Sequence, residues 1–253
     1  MNPPVISLLR NRFLQSLLRR LCIKKIAAKF ITVNGVTLAY REYGEGETLL
    51  LLHGNSESGK IFSKYQTEYF SRYHTFALDS RGHGKSGSEG GVLSIEQISD
   101  DVIAFCEAKT IAKARVIGYS DGGNVALFLA KKEPDRFVKI AAISPNYLVS
   151  GIVDSWLGVF KSAHAFFGLF GLGKQRLRFG LMLSDIGLSK EDLKSIRTGV
   201  EIVYASRDMI KEAHLIDIGE SIPGARLAKI TPSSHLSILK SKKAIEEMAS
   251  FIK

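Results

Sequence analysis

The run Ala114-Arg115-Val116-Ile117-Gly118-Tyr119-Ser120-Asp121-Gly122-Gly123-Asn124 sits at the centre of the chain's most regular pattern. Residues 114–117 are largely apolar and suit a buried strand, 118–123 are glycine-rich, and 123–132 carry the apolar spacing of a helix. Strand, tight turn, helix is the order that results. A serine at the apex of such a turn is held in a strained backbone that presents its hydroxyl, and side chains two positions before and after it would crowd the bend. Gly118 and Gly122 therefore have a steric purpose. The plainer reading is an ordinary glycine-rich turn, which must also account for the flanking features.

Working outward, short apolar runs alternate with helical patterns. Phe30–Val33 and Val36–Tyr40 flank Asn34-Gly35, a strong hairpin signal, and open the sheet with an antiparallel pair. Thr48–Leu52, Thr75–Leu78, Ala114–Ile117, Lys139–Ile143, Val200–Tyr204 and Arg226–Ile230 are too continuously apolar to keep one wet face and are expected as buried parallel strands. Helical patterns occur at Ile61–Phe70, Ile95–Lys109, Gly123–Lys132 and Ala244–Ile252. The alternation predicts an α/β fold: a mostly parallel central sheet with helices on both faces. One interval breaks it. Residues 147–197 separate two strands by far more than one helix and two short loops require. Trp156, Phe160, Phe166, Phe167, Leu169, Phe170, Phe179 and Met182 make it apolar, while Gly158, Gly168, Gly171 and Gly173 interrupt it, so a helical cap insertion is expected. The expected division is a basic N-terminal segment over 1–29, a core over 30–146 and 198–253, and the cap over 147–197.

Other strand ends carry matching chemistry. Ser206-Arg207-Asp208 follows one strand and Ser233-Ser234-His235 the next, so Asp208 and His235 should project from the same sheet edge as Ser120. Serine is a weak nucleophile until a base takes its proton, and a neutral imidazole needs a carboxylate to hold one tautomer. The order Ser, Asp, His fits that arrangement, and among the six histidines only His235 is well placed as base. His53-Gly54-Asn55 follows the strand Thr48–Leu52, where the N–H of Asn55 could converge with that of Asp121 on a developing oxyanion. His53 itself reads as a brace for the loop. Tyr119, Trp156 and Phe160 are the expected substrate contacts.

With these residues in place, the sequence over about 30–253 resembles the α/β-hydrolase family. His53-Gly54-Asn55 looks like its oxyanion loop, Leu78-Asp79-Ser80-Arg81-Gly82-His83-Gly84-Lys85-Ser86 like its loop after the next strand, Ser120 like its nucleophile, Asp208 like its acid and His235 like its base. The resemblance implies that Asp79, Arg81 and His83 shape a loop, and that Asp100 and Asp101 are helix-surface or capping positions. Asp121 departs from many members, which carry an apolar or amide side chain there; valacyclovir-hydrolase-like members are similar in having Ser-Asp-Gly-Gly. What it implies is a serine hydrolase, carboxylesterase-like, acting on a small-molecule ester-like or amide bond. The alternatives on the same fold are a non-hydrolytic, carbon–carbon bond-cleaving or perhydrolase enzyme, and a receptor-like protein with little turnover.

Composition sets the outer bounds. The chain has 253 residues, 45% of them hydrophobic and 24% charged, which is ordinary for a globular protein. Of the formal +10 charge, residues 1–30 supply seven basic side chains and no acid, so the body carries only about +3 and no nucleic-acid partner is expected. Residues 5–26 read as a basic amphipathic helix, with Leu9, Phe13, Leu14, Leu17, Leu18 and Leu21 opposite Arg12, Arg19 and Arg20. Three readings stay open for it: peripheral contact with an anionic membrane, packing on the domain or a partner, and a transit peptide. Arginine interrupts its apolar run too often for a transmembrane span. Cys22 and Cys106 stand far apart with no C-x-x-C spacing, so neither a disulfide framework nor a metal or other cofactor is expected. A cytoplasmic location, with membrane association through the basic helix, fits this composition.

Overall fold

The computed structural model describes residues 26–88 and 93–253; all but Ile26 of the expected amphipathic helix lies outside the described residues. Asn34 and Gly35 both take positive φ, 47° and 70°, the twist a two-residue hairpin needs, and pair β1 (Lys29–Val33) with β2 (Val36–Tyr43). The remaining strands are β3 (Thr48–Leu52), β4 (His74–Leu78), β5 (Ala114–Tyr119), β6 (Phe137–Ile143), β7 (Gly199–Arg207) and β8 (Arg226–Ser234). They form one sheet in the order β1-β2-β4-β3-β5-β6-β7-β8. Its first two pairings are antiparallel and all others parallel.

The described α-helices are α1 (Ile95–Ala108), α2 (Asp121–Lys132), α3 (Asp154–Leu169), α4 (Gly173–Leu181), α5 (Lys190–Ser195), α6 (Glu212–Ser221) and α7 (Lys242–Phe251). Strand pleating divides the sheet's apolar side chains between two cores. Leu50, Leu52, Val116 and Ile140 pack with α1, α2 and α6; Leu49, Leu51, Ile117 and Val203 pack with α7 and residues 62–73. Both faces are covered, and the strand ends near β3, β5, β7 and β8 are left to build a site.

Three local expectations change. Residues 61–70 are helical as expected but not as one regular α-helix: Gly59–Phe62 is a 3-10 turn, and Tyr65–Tyr69 is a wider turn closed by the Phe70 N–H on the Tyr65 carbonyl at 2.8 Å. In an α-helix, residues five apart diverge by about 140°; the wider turn instead lets the buried Tyr65 and Phe70 rings stack at 5.8 Å. β8 is not buried on both faces, because it is the sheet edge and Arg226, Leu227 and Lys229 are exposed. Residues 212–221, assigned no helix from sequence, form α6.

Asp101 is also a correction. Far from lying on the helix surface, it is buried and receives Arg81 Nε at 2.7 Å and an Arg81 terminal nitrogen at 2.6 Å, plus the Asn34 amide at 3.2 Å. A two-pronged pair with an added donor is the geometry in which buried charges can be tolerated. Asp100 does stay on the surface, paired with Lys132. Asp79 shapes its loop as expected, accepting from Arg41 at 2.6 Å and from the Gly59 and Lys85 N–H groups at 2.8 Å each.

Candidate active site

Ser120 caps α2 with φ 53° and ψ −117°, a conformation L residues rarely hold. The chain around it leaves no room for side chains. A Cβ on Gly118 would lie 2.1 Å from the Gly122 carbonyl oxygen, and one on Gly122 would lie 2.2 Å from that of Leu52. The bend is pinned by the Ser120 N–H on the Ile143 carbonyl (2.8 Å) and the Asn124 N–H on the Ser120 carbonyl (3.0 Å).

β7 and β8 outlast their expected ends. A register shift after Ala205 lets Arg207 pair with Ser234, so the next residue of each strand is Asp208 and His235. Their side chains meet at 2.6 Å, Asp208 Oδ1 to His235 Nδ1. The carboxylate also accepts from Ser144 Oγ at 2.6 Å, the Ala205 N–H at 3.0 Å and the Ile210 N–H at 3.1 Å. Burial would raise the Asp208 pKa, but these bonds and the imidazole outweigh it and hold the carboxyl below its ordinary value. An ionised carboxylate only accepts, so Nδ1 carries the imidazole hydrogen and Nε2 faces Ser120 Oγ, 3.2 Å away, with its lone pair. The Tyr119 hydroxyl donates to the His235 carbonyl at 3.0 Å and steadies that loop.

Asp121 is the first residue of α2, so its N–H has no acceptor within the helix. The Asn55 loop lies across from it. Asn55 Nδ2 donates to Asp121 Oδ2 at 2.9 Å and to the Arg178 carbonyl at 2.7 Å, which ties the loop both to the elbow and to α4. Burial pushes the Asp121 carboxyl up to about 6, against the opposing pull of Asn55 and His235. Glu57 is raised as well, chiefly by burial and further by Asp121, although the Gly54 N–H at 3.1 Å works the other way. His53 donates from Nδ1 to the Gly54 carbonyl at 2.7 Å and accepts the Ser80 N–H on Nε2 at 3.0 Å. With both nitrogens used and burial lowering its pKa, His53 is a neutral brace. Burial likewise lowers His83, to about 3.

A cleft of about 150 Å³ opens over Ser120. Gly54, Asn55, Glu57, Tyr119 and His235 line its polar side, and Phe179, Met182, Met209 and Leu236 its apolar side. A wider groove of about 550 Å³ shares Ser56 and Glu57 with it and adds Lys60 and Arg178. Tyr119 is thus at the cleft, whereas Trp156 and Phe160 are not among its lining residues; they stand behind it, ring to ring at 6.2 Å, with Phe160 6.4 Å from Phe179. Sequence reasoning missed Ser144, Glu57, Phe179 and Met182. Ser144 carried a usable signal, since it directly follows β6 at the same sheet edge, and Glu57 belongs to the Asn55 loop; Phe179 and Met182 depend on how α4 folds back. Arg178 fastens α4 to the core, donating from Nε at 2.8 Å and from Nη2 at 2.5 Å to the Gly82 carbonyl. No cluster of His, Cys, Asp or Glu among the described residues is arranged to hold a metal ion.

The fold agrees with what the chain is similar to: residues 47–178 match the alpha/beta hydrolase fold family, and the chain belongs to that family. Among curated relatives, it is 32% identical over 215 residues to the dihydrolipoyllysine-residue acetyltransferase component of the acetoin cleaving system of Cupriavidus necator, covering 83% of this chain and 54% of that one. It is 34% identical over 113 residues to 3-oxoadipate enol-lactonase 2 of Acinetobacter baylyi, covering 44% and 42%. The chain therefore spans about half the length of the curated relatives it matches. Among solved structures, the enol-lactonase of Burkholderia xenovorans superposes with a TM-score of 0.74 at 20% identity, over 88% of this chain and 99% of that one, a likeness of fold. Several relatives are named as hydrolases.

Proposed function

We propose that this protein is a serine hydrolase that cleaves carboxylic-ester-like bonds, lactones and amides included, through an acyl-enzyme on Ser120. The observation that carries the reading is the continuous relay from Asp208 through His235 to the Ser120 hydroxyl, at 2.6 and 3.2 Å. His235 takes the hydroxyl proton, the oxygen attacks the substrate carbonyl, and the N–H groups of Asn55 and Asp121 hold the oxyanion. His235 then returns the proton to the departing alcohol or amine. Water repeats the sequence on the acyl-enzyme, freeing the acid and Ser120.

The cleft's small volume and its Phe179–Met182 wall favour a compact, partly apolar substrate, and Glu57 at its junction with the wider groove disfavours an anionic one. The enol-lactonase name among the relatives supports a lactone or ester over other bonds. The test is fluorophosphonate labelling and hydrolysis of short-chain aryl esters by the full chain. Labelling and turnover that vanish together in Ser120→Ala support the reading; a wild-type chain that neither labels nor turns over any such ester overturns it.

A further inference from the structure

The outer face of α3 and the turn into α4 is apolar and uncovered. Leu169 is 82% exposed, the most exposed large apolar side chain among the described residues, and Phe170, Phe166 and Val159 are each more than half exposed. Val159, Phe166 and Leu169 fall on one stripe of α3 by helical spacing. Phe166 and Phe170 rings lie 4.6 Å apart, which closes the patch across the turn. A contiguous exposed apolar patch marks a docking surface more often than a chance exposure.

Charge selects its occupant. Residues 155–184 contain Lys161, Lys174, Arg176 and Arg178 and no acidic residue. Lys161, Lys174 and Arg176 are exposed and form no ion pair among the described residues, and Arg176 packs against Gly168 beside the patch. A second copy of this face would bring like charges together. Residues 1–25 carry six basic side chains and no acid, so this segment of the chain would be repelled as well. An apolar tip with Arg176 beside it and further unpaired cations on the same two helices complements an anionic lipid surface, where apolar side chains enter the headgroup boundary and cations meet phosphate.

We propose that the α3–α4 tip docks on an anionic lipid bilayer, with Phe166, Leu169 and Phe170 entering the interface and Lys161, Lys174 and Arg176 meeting lipid phosphates. Its position suits traffic to the cleft. Phe166 contacts Phe167 at 5.6 Å, and Phe167 contacts Phe179, a cleft wall, at 5.3 Å. The docked tip thereby places an aromatic path to Ser120 at the lipid surface.

Full-length chain is sedimented with phosphatidylcholine vesicles containing or lacking phosphatidylglycerol, and the basic N-terminal segment stays intact in every variant. Binding to the anionic vesicles should fall at least tenfold in L169S/F170S, and by about fivefold for each charge removed in K174Q/R176Q. In W156F/F170W the only indole stands at the tip, and brominated lipid chains should quench it. Three results each overturn the proposal: no binding to anionic vesicles by the wild-type chain, equal binding by all variants with an unquenched indole, or equal binding to vesicles lacking phosphatidylglycerol. Sedimentation velocity without lipid covers the remaining occupant, since a dimer that L169S/F170S disperses while lipid binding is unchanged assigns the patch to self-association.

Discussion

The elbow around Ser120 and the helical pair α3–α4, whose α4 end lines the other side of the cleft, are held in different ways. At the elbow, backbone meets backbone: carbonyl oxygens at 2.1 and 2.2 Å from the places where Cβ atoms would stand leave one conformation and admit only glycine. The helical pair packs Phe160 and Leu181 into the core and adds a few polar hooks, Arg178 on Gly82 and Asn55 on the Arg178 carbonyl, while much of its outer face stays in water. On the proposed reading, such a site holds Ser120 in a single backbone conformation, while the α4 wall facing it is fastened by fewer contacts.

Substitutions can break that contrast, beginning where the largest effect is expected. Ser120→Ala should abolish covalent labelling and lower ester turnover by about 10⁴-fold or more, with the melting temperature nearly unchanged, because only the reacting oxygen is removed. Asp208→Asn keeps the shape but lets His235 take the wrong tautomer, so kcat should fall by about 10⁴-fold. Gly122→Ala forces a methyl group onto the Leu52 carbonyl and should destabilise the fold by roughly 3 kcal/mol, read by urea denaturation. If it is tolerated, the elbow is not the rigid wall described above.

Glu201 sharpens the comparison from the core's own side. It lies fully buried in β7, neither carboxylate oxygen has a hydrogen-bond partner, and Arg226 stands 3.4 Å away. Burial drives its pKa up to about 7, against the partial relief given by Arg226. A carboxyl raised above its unfolded value contributes stability that is fully present below about pH 4 and is lost as pH rises through 7. Glu201→Gln should therefore match wild type at pH 4 and gain up to about 3 kcal/mol at pH 8, measured by thermal unfolding at both values. The smallest effect is expected at the hook: Arg178→Ala should cost about 1 kcal/mol of stability, yet lower kcat/KM on the order of tenfold as the Phe179 wall drifts.

What could be read from sequence divides along the same line. Glycine spacing, a strand before and a helix after announced the elbow because the constraint is local. Asp208 and His235 were legible because each follows an apolar run that had to be a strand. The structure places them in contact through a register shift between β7 and β8 that no periodicity encodes. Reading Arg226–Ile230 as fully buried failed because the outermost position belongs to topology and not to the run itself. Trp156 and Phe160 were expected at the substrate, yet they share one side of α3 with Phe167 behind the cleft, and only the fold-back of α4 decides that Phe179 and Met182 face Ser120.

The span between hydroxyl and imidazole has a consequence for synthesis. His235 is made 115 residues after Ser120, and its carboxylate partner only shortly before it. On the proposed reading, a growing chain thus presents the Ser120 turn long before its two partners exist, and the relay is complete only once β7 and β8 have joined the sheet.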